Sequence, residues 1–263
     1  MRAIEDIKGA CLIELAFTQH CGSNPGQQDA LWDGAQVYQQ RDLLTACRSI
    51  TNEDRWAIAV ADGVASSPMA QRASRVVLEA LTAELSSGAD FDVRMIRRVH
   101  GRLCDSLAKG KTFGSSTTLA AMECQHGQCT VLSVGDSRAY LLSATGEWQP
   151  LTRDHTVLNA MIDRGEADDQ TEYASFYGML EHCLIADDEE LDFPVHRSVT
   201  QLQPGDAVLL CTDGVHDTLG DARLKMLTTY PLNPMSQVQA WRKAVLKAGA
   251  PDNFSMVLAV HRT

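Results

Sequence analysis

Four aspartates in this chain stand where apolar runs begin or end. Asp62 follows the run from Trp56 to Ala61 and precedes Gly63; Asp136 follows Val131 to Gly135; Asp213 follows Val208 to Thr212 and precedes Gly214; Asp252, with Asn253, comes just before the run from Phe254 to Val260. Short apolar runs of this kind read as buried strands, and a Gly beside an Asp permits a turn at the strand tip. Carboxylates gathered at strand tips repel one another, so a fold that collects them must place cations among them or protonate some of them. Hard divalent cations that prefer oxygen are the natural partners. Magnesium or manganese suits the set better than zinc, because neither His nor Cys belongs to it. A single Asp-Gly is only a common turn dipeptide; the chemistry lies in the repetition.

The elements that would carry these acids alternate in blocks. A first strand is expected over 11–18, then a loop ending at Gln27, Gln28, Asp29 and Ala30, and a polar stretch up to Trp56 that includes Thr51 to Asp54 and has no clear period. After Asp62-Gly63, Ser66 or Ser67 is placed to cap a helix with Pro68 in its first turn; Ala73, Val76, Val77, Ala80, Leu81 and Leu85 form one face. A second amphipathic helix is expected from Asp92 to Ala108, with Arg94, Arg97, Arg98 and Arg102 on its solvated side. Three closely spaced strands follow, 116–123, 128–134 and 137–143. Their connections are too short for parallel crossovers, so they pair antiparallel. Residues 154–192 turn helical and irregular, with acids at Asp168, Asp169 and Asp187 to Glu190, and suit a variable lid over 156–193. Strands at 195–201 and 206–211, a helix at 235–248 and a last strand at 254–261 close the chain. This order favours antiparallel sheets flanked by helices over a doubly wound parallel sheet.

Composition narrows the partners. The chain has 263 residues with 44% hydrophobic content and a net charge of −11, enough for a packed core and without a basic stripe for nucleic acid or an anionic membrane. No stretch is long and apolar enough to span a bilayer, and the acids near the start argue against a secretory leader, so a cytoplasmic protein is expected. Of eight cysteines, Cys11, Cys129 and Cys211 fall in or beside apolar runs and read as reduced thiols. Cys124 to Cys129 around His126-Gly127 reads as a hairpin turn rather than half a zinc site. No composition break marks a linker, and a single domain over 1–263 is expected.

Taken together, the pieces Gln28-Asp29-Ala30, Val60-Ala61-Asp62-Gly63, Gly114 to Thr118, Gly135 to Tyr140, Leu151 to His155, Thr212-Asp213-Gly214 with Asp217, and Asp252 to Ser255 resemble, in order and over nearly the whole chain, the metal-dependent protein phosphatases of the 2C (PPM) type in their bacterial serine/threonine form. The resemblance implies an α+β fold, two antiparallel β-sheets in a sandwich flanked by α-helices on both faces. It implies two Mn2+ or Mg2+ ions, with a third, weaker site. Asp62 would bridge the ions, the Gly63 carbonyl would add a ligand, and Asp213 and Asp252 would hold the second ion. Asp29 would act through metal-held water, and Asp136 with Asp217 would form the third site. Asp62, Asp213 and Asp252 are then the catalytic set, and a hydroxide between the ions attacks phosphorus of a phosphoserine or phosphothreonine in a protein, with no phosphoenzyme. A phosphorylated protein, an opposing serine/threonine kinase and a monomeric state follow as expectations.

The match departs in places. Where the family carries a phosphate-gripping Arg, this chain has Asn24, which cannot supply a charged fork. Gln28 replaces the usual Glu, and Val64 to Ser67 replace a His or Gly pair after Asp62-Gly63. His155 is expected to pack behind a helix start at Asp154, Arg138 to fix the Asp136 turn by an ion pair, His216 to stay outside the chemistry, and Ser115 to Thr118 to hydrogen-bond near the core. These departures keep open a phosphatase-fold binding or scaffold protein with little turnover. A two-metal phosphodiesterase fits the acids but not the acidic surface or the motif order.

Overall fold

A computed structural model describes residues 12–51, 55–168 and 179–262. The expected strand start at Cys11, part of the 51–54 stretch, Asp169 and the middle of the expected lid lie outside the described residues. In chain order the elements are β1 (Leu12–His20), β2 (Ala30–Trp32), β3 (Val37–Tyr38), β4 (Asp42–Thr51), β5 (Arg55–Ala61), α1 (Ala70–Ser86), α2 (Val93–Leu107), β6 (Ser116–Thr117), β7 (Leu119–Gln125), β8 (Gln128–Val134), β9 (Arg138–Leu142) and β10 (Trp148–Pro150). There follow α3 (Val157–Asp163), β11 (Leu184–Ile185), β12 (His196–Gln201), β13 (Ala207–Cys211), α4 (Asp213–Leu219), α5 (Asp221–Met226), α6 (Pro234–Lys247) and β14 (Phe254–Arg262).

The long strands form two six-stranded sheets, ordered β10-β9-β13-β14-β1-β4 and β12-β8-β7-β5-β2-β3, and neighbouring strands are antiparallel throughout. Their facing surfaces bury Ile13, Leu15, Phe17, Ile58, Val60, Met122, Val131, Leu210 and Val257 between them. On the outer face of the β5-containing sheet, α1 and α2 bury Val77, Leu81, Ile96, Val99 and Leu103. On the other, α4, α5 and α6 bury Val215, Leu224, Val238, Trp241 and Val245. The result is the helix–sheet–sheet–helix sandwich expected. β14 is apolar almost throughout because it lies inside its sheet between β13 and β1, with both faces covered.

Several local readings change. The polar stretch before Trp56 contains β4, ten residues long; as an edge strand it alternates exposed and half-buried residues, which hides it among polar neighbours. Neither Ser66 nor Ser67 caps α1. The helix starts at Ala70 behind Met69 with no side-chain cap, and Ser67 instead accepts the Ser116 N–H through Oγ at 3.1 Å. α2 is capped as expected, Asp92 Oδ1 accepting the Met95 N–H at 2.9 Å. Asp154 starts no helix; Thr156 caps α3, while Asp154 takes two hydrogen bonds from the Arg138 guanidinium. The helices α4 and α5 were not expected, because Asp213-Gly214 reads as a turn until β13 and β14 fix its surroundings. His126 (φ 49°) and Gly127 (φ 79°) form the expected hairpin turn, joining Cys124 to its strand partner Cys129. The described cysteines are free thiols.

The segment between β10 and β12 is held at both ends. The His155 carbonyl accepts the Glu181 N–H at 2.8 Å, and Arg97 of α2 donates to the Leu191 and Phe193 carbonyls at 2.7 and 2.6 Å with its guanidinium 3.9 Å above the Phe193 ring.

Candidate metal centre

Antiparallel pairing decides which acids meet. Ala30 pairs with Ala61, so Asp29, entering β2, stands beside Asp62, leaving β5. Cys211 pairs with Met256 and the Thr212 N–H reaches the Ser255 carbonyl at 3.1 Å, so Asp213, leaving β13, stands beside Asp252, entering β14. Asp136 occupies the turn by which the chain crosses from β8 in one sheet to β9 in the other. All five carboxylates therefore lie at one end of the sandwich.

The backbone around Asp62 is pinned by the 116–118 segment. Its N–H donates to Thr118 Oγ1 at 3.0 Å, and its carbonyl accepts from the Thr118 N–H at 2.8 Å and from Thr117 Oγ1 at 2.7 Å. Two glycines are required by close approach. A Cβ on Gly63 would lie 2.4 Å from the Ala70 carbonyl oxygen, and one on Gly214 would lie 1.9 Å from that of Asn253. Asp29 is wholly buried and ties the sheets together: its Oδ2 accepts from Thr212 Oγ1 at 2.9 Å and from Ser255 Oγ at 2.8 Å, while Gln19 Nε2 donates to the same Ser255 hydroxyl at 3.0 Å. Asn253 adds a second tie, accepting the Gln28 N–H at 2.5 Å and donating to the Cys21 carbonyl at 2.7 Å.

The electrostatics follow from this crowding. Burial, then the neighbouring carboxylates Asp29 and Asp213, hold the Asp62 carboxyl well above its ordinary range. Burial raises Asp213 as well, with Asp252 adding to the effect. Asp29 is pushed up to about 7 by burial and by Asp213, against the lowering influence of its Ser255 bond. Asp136 is pushed to about 7 by burial and Asp213. Among the described residues no group of three or more His, Cys, Asp or Glu side chains stands ready-made to hold an ion. The donor set still fits a hard divalent cation. It is all oxygen, burial and mutual repulsion raise Asp29, Asp62, Asp136 and Asp213 so that their anions call for a positive partner, and two of its buried oxygens, Asp29 Oδ1 and Asp213 Oδ1, have no hydrogen-bond partner among the described residues.

The other residues singled out in the sequence take varied places. Asn24 Nδ2 donates to Asp252 Oδ1 at 2.6 Å, so it orients an acid instead of standing free. Gln28 contributes its backbone, its carbonyl accepting from the Gly63 N–H at 3.2 Å. Asp217 is largely exposed and lies 3.0 Å from Nδ1 of buried His216, off the line of a hydrogen bond, while His216 Nε2 reaches the Asp136 carbonyl at 3.1 Å. Arg138 pairs with Asp154 at 2.6 Å and Asp221 at 3.2 Å. His155 is clamped to Gly135, its Nδ1 accepting the Gly135 N–H at 3.1 Å and its own N–H donating to the Gly135 carbonyl at 3.0 Å. Sequence reading missed Gln19 and gave Ser255, part of the Asp252 to Ser255 piece, no role. Their one signal is a polar residue within an otherwise apolar strand, which is ambiguous until the facing strand is known.

A four-layer sandwich with an all-oxygen acidic cluster at one end defines the class: an α-β-β-α protein whose cluster has the chemistry to suit hard cations. The chain matches the protein phosphatase 2C model over residues 39–248, and it belongs to that family. It is 25% identical over 210 residues to the serine/threonine protein phosphatase PstP of Mycobacterium tuberculosis, covering 77% of this chain and 40% of that protein. It is 27% identical over 145 residues to the serine/threonine phosphatase stp of Listeria innocua, covering 55% and 56%. The chain thus spans about half the length, or less, of the curated relatives it matches. Among solved structures it resembles M. tuberculosis PstP/Ppp, with TM-score 0.74, 21% identity and coverage of 96% and 100%, and Stp1 of Staphylococcus aureus, with TM-score 0.74, 18% identity and coverage of 94% of both chains.

Proposed function

We propose that the chain is a metal-dependent serine/threonine protein phosphatase, and that Asp62, Asp213 and Asp252 hold its cations with the Gly63 carbonyl, Asp136 and Asp217 completing two principal sites and a weaker third. The observation that carries this reading is the cluster of Asp29, Asp62, Asp136 and Asp213, raised by desolvation and by neighbouring acids, at one end of a protein phosphatase 2C sandwich. The catalytic domain of PstP has been solved with two manganese ions, which supports the same metal here, with magnesium as the alternative. When bound, two such ions would acidify water and offset the charge that builds on the phosphoryl oxygens during in-line displacement.

The chain's own residues set the rest. Asp29, held by Thr212 and Ser255, supports the acids from behind, and Asn24 fixes Asp252. Neither Cys211 nor Cys183 is suited to attack phosphorus. Burial raises the Cys211 thiol far above neutrality, and Cys183, in hydrogen-bonding contact with Ser116, is pushed up to about 11, chiefly by burial. His155 is no general acid at neutral pH, since burial and the facing His182 and His196 hold it down to about 4. Solvent then protonates the leaving serine or threonine oxygen. We take 156–193 as a lid beside this site within a single catalytic domain, and read the protein as a cytoplasmic monomer that opposes a serine/threonine kinase. Among the described residues no helix is long and apolar enough to cross a membrane.

The test is hydrolysis of a phosphothreonine peptide with added Mn2+. Asp62→Ala and Asp252→Ala are expected to lose turnover; equal rates in all three proteins would overturn the reading. Calorimetric titration separates the scaffold alternative, which predicts no Mn2+ binding at micromolar to millimolar concentrations.

A further inference from the structure

A phosphate monoester arrives as an anion at a site walled by carboxylates, and a cationic side chain at the mouth would add to the attraction of the ions proposed there. Most arginines near the acids are committed elsewhere. Arg138 is spent on Asp154 and Asp221, and Arg242 is buried behind β1, donating to Thr18, the Gln19 carbonyl and Asp42. Asn24 carries no charge and is occupied with Asp252.

Arg41 differs. It precedes β4, is exposed, and its carbonyl accepts the Cys21 N–H at 2.8 Å, which fastens it to the loop leading to β2. Its guanidinium donates through Nη1 to the Pro25 carbonyl, and among the described residues it makes no ion pair. Asn24 and Pro25, consecutive residues of one loop, thus touch Asp252 and Arg41 respectively. A guanidinium has five N–H donors in a planar fork, and one hydrogen bond to a carbonyl leaves the rest of that fork for an anion.

We propose that Arg41 is the substrate-binding cation of this site, receiving the phosphoryl oxygens at the rim beside Asp252. Asn24 meanwhile holds Asp252 in place. The inference rests on the phosphatase reading and names the residue that gives the acidic mouth its affinity for a phosphorylated side chain.

The test measures steady-state hydrolysis of a phosphothreonine peptide with Mn2+, and inhibition by inorganic phosphate, for the wild type, Arg41→Ala, Arg41→Lys and, as a control for net charge, Arg72→Ala on α1. Arg41→Ala is expected to raise both KM and the phosphate inhibition constant about 10- to 100-fold, as loss of a charge-assisted pair does, with Mn2+ affinity and melting temperature unchanged. Arg41→Lys should recover part of the loss, and Arg72→Ala should match the wild type. Unchanged KM in Arg41→Ala beside an active wild type would overturn this inference and leave the phosphatase reading standing. So would a raised KM with an unchanged phosphate constant, or an equal loss in Arg72→Ala. A wild type that binds Mn2+ but hydrolyses nothing would overturn the phosphatase reading itself, and the inference with it.

Discussion

Thr118 holds Asp62 by both of its backbone groups, accepting the Asp62 N–H through Oγ1 at 3.0 Å and donating its own N–H to the Asp62 carbonyl at 2.8 Å. The same hydroxyl shares a 2.7 Å bond with Ser137 Oγ, next to Asp136. Thr118→Val keeps the shape but removes the acceptor, stranding the Asp62 N–H. A loss of about 1–3 kcal/mol is expected in denaturant unfolding, together with a fall of about tenfold or more in Mn2+ affinity, the usual cost of losing a group that orients a ligand. Thr118→Ser should restore both. Wild-type Mn2+ affinity in the Val variant would refute the orienting role.

Removing charge at the centre should separate stability from function. Asp62 is raised because burial and the neighbouring acids disfavour its anion. Asp62→Asn keeps the size and removes the titration, so the metal-free protein should melt a few degrees higher, while calorimetry should show Mn2+ binding lost. A lower melting temperature in the absence of metal would contradict the electrostatic account.

The pH dependence of the metal-free protein has a definite sign. Asp29 and Asp136 rise from an ordinary value of 3.8 to about 7, so between those values the folded state binds more protons than the unfolded one. Their contribution to stability is therefore full below the unfolded value and lost as pH rises through about 7. Melting temperature without metal should fall between pH 5.5 and pH 8, conditions chosen to bracket the upper value, and Mn2+ should stabilise more at the higher pH because it no longer competes with protons. Asp136→Asn should flatten the slope; a slope that it leaves unchanged would remove Asp136 from the explanation.

Gly214 offers a steric test that changes no charged group. A Cβ there would sit 1.9 Å from the Asn253 carbonyl oxygen, and both atoms belong to rigid backbone. Gly214→Ala should cost about 3 kcal/mol and, by pushing α4 away from the start of β14, separate Asp213 from Asp252 and weaken Mn2+ binding. Gly101→Ala, on α2 with open space around it, provides the comparison and should leave Mn2+ binding intact.

How much of this was legible beforehand depends on what kind of information each feature carries. The acids at Asp62, Asp136, Asp213 and Asp252 were visible because each breaks an apolar run, and the runs themselves announce the buried strands of both sheets. The amphipathic periods of α1 and α2 were visible for the same local reason. β4 was not, because an edge strand has one open side and its polar residues are tolerated by solvent. The cap of α1 was misplaced because Ser67 found a tertiary partner in Ser116, which no local pattern encodes.

The amino-acid sequence by itself determined that carboxylates would sit at strand tips and that oxygen-loving cations suit them, since residue type and hydrophobic period are local quantities. Only the tertiary structure decided which acids meet, because that follows from register: Ala30 against Ala61 and Cys211 against Met256 are pairings between residues distant in the chain. It also decided that Asn24 turns to Asp252 and that Arg41 reaches the Pro25 carbonyl. A side chain's partner is set by whatever the fold brings within hydrogen-bonding distance, and that distance is not written along the chain.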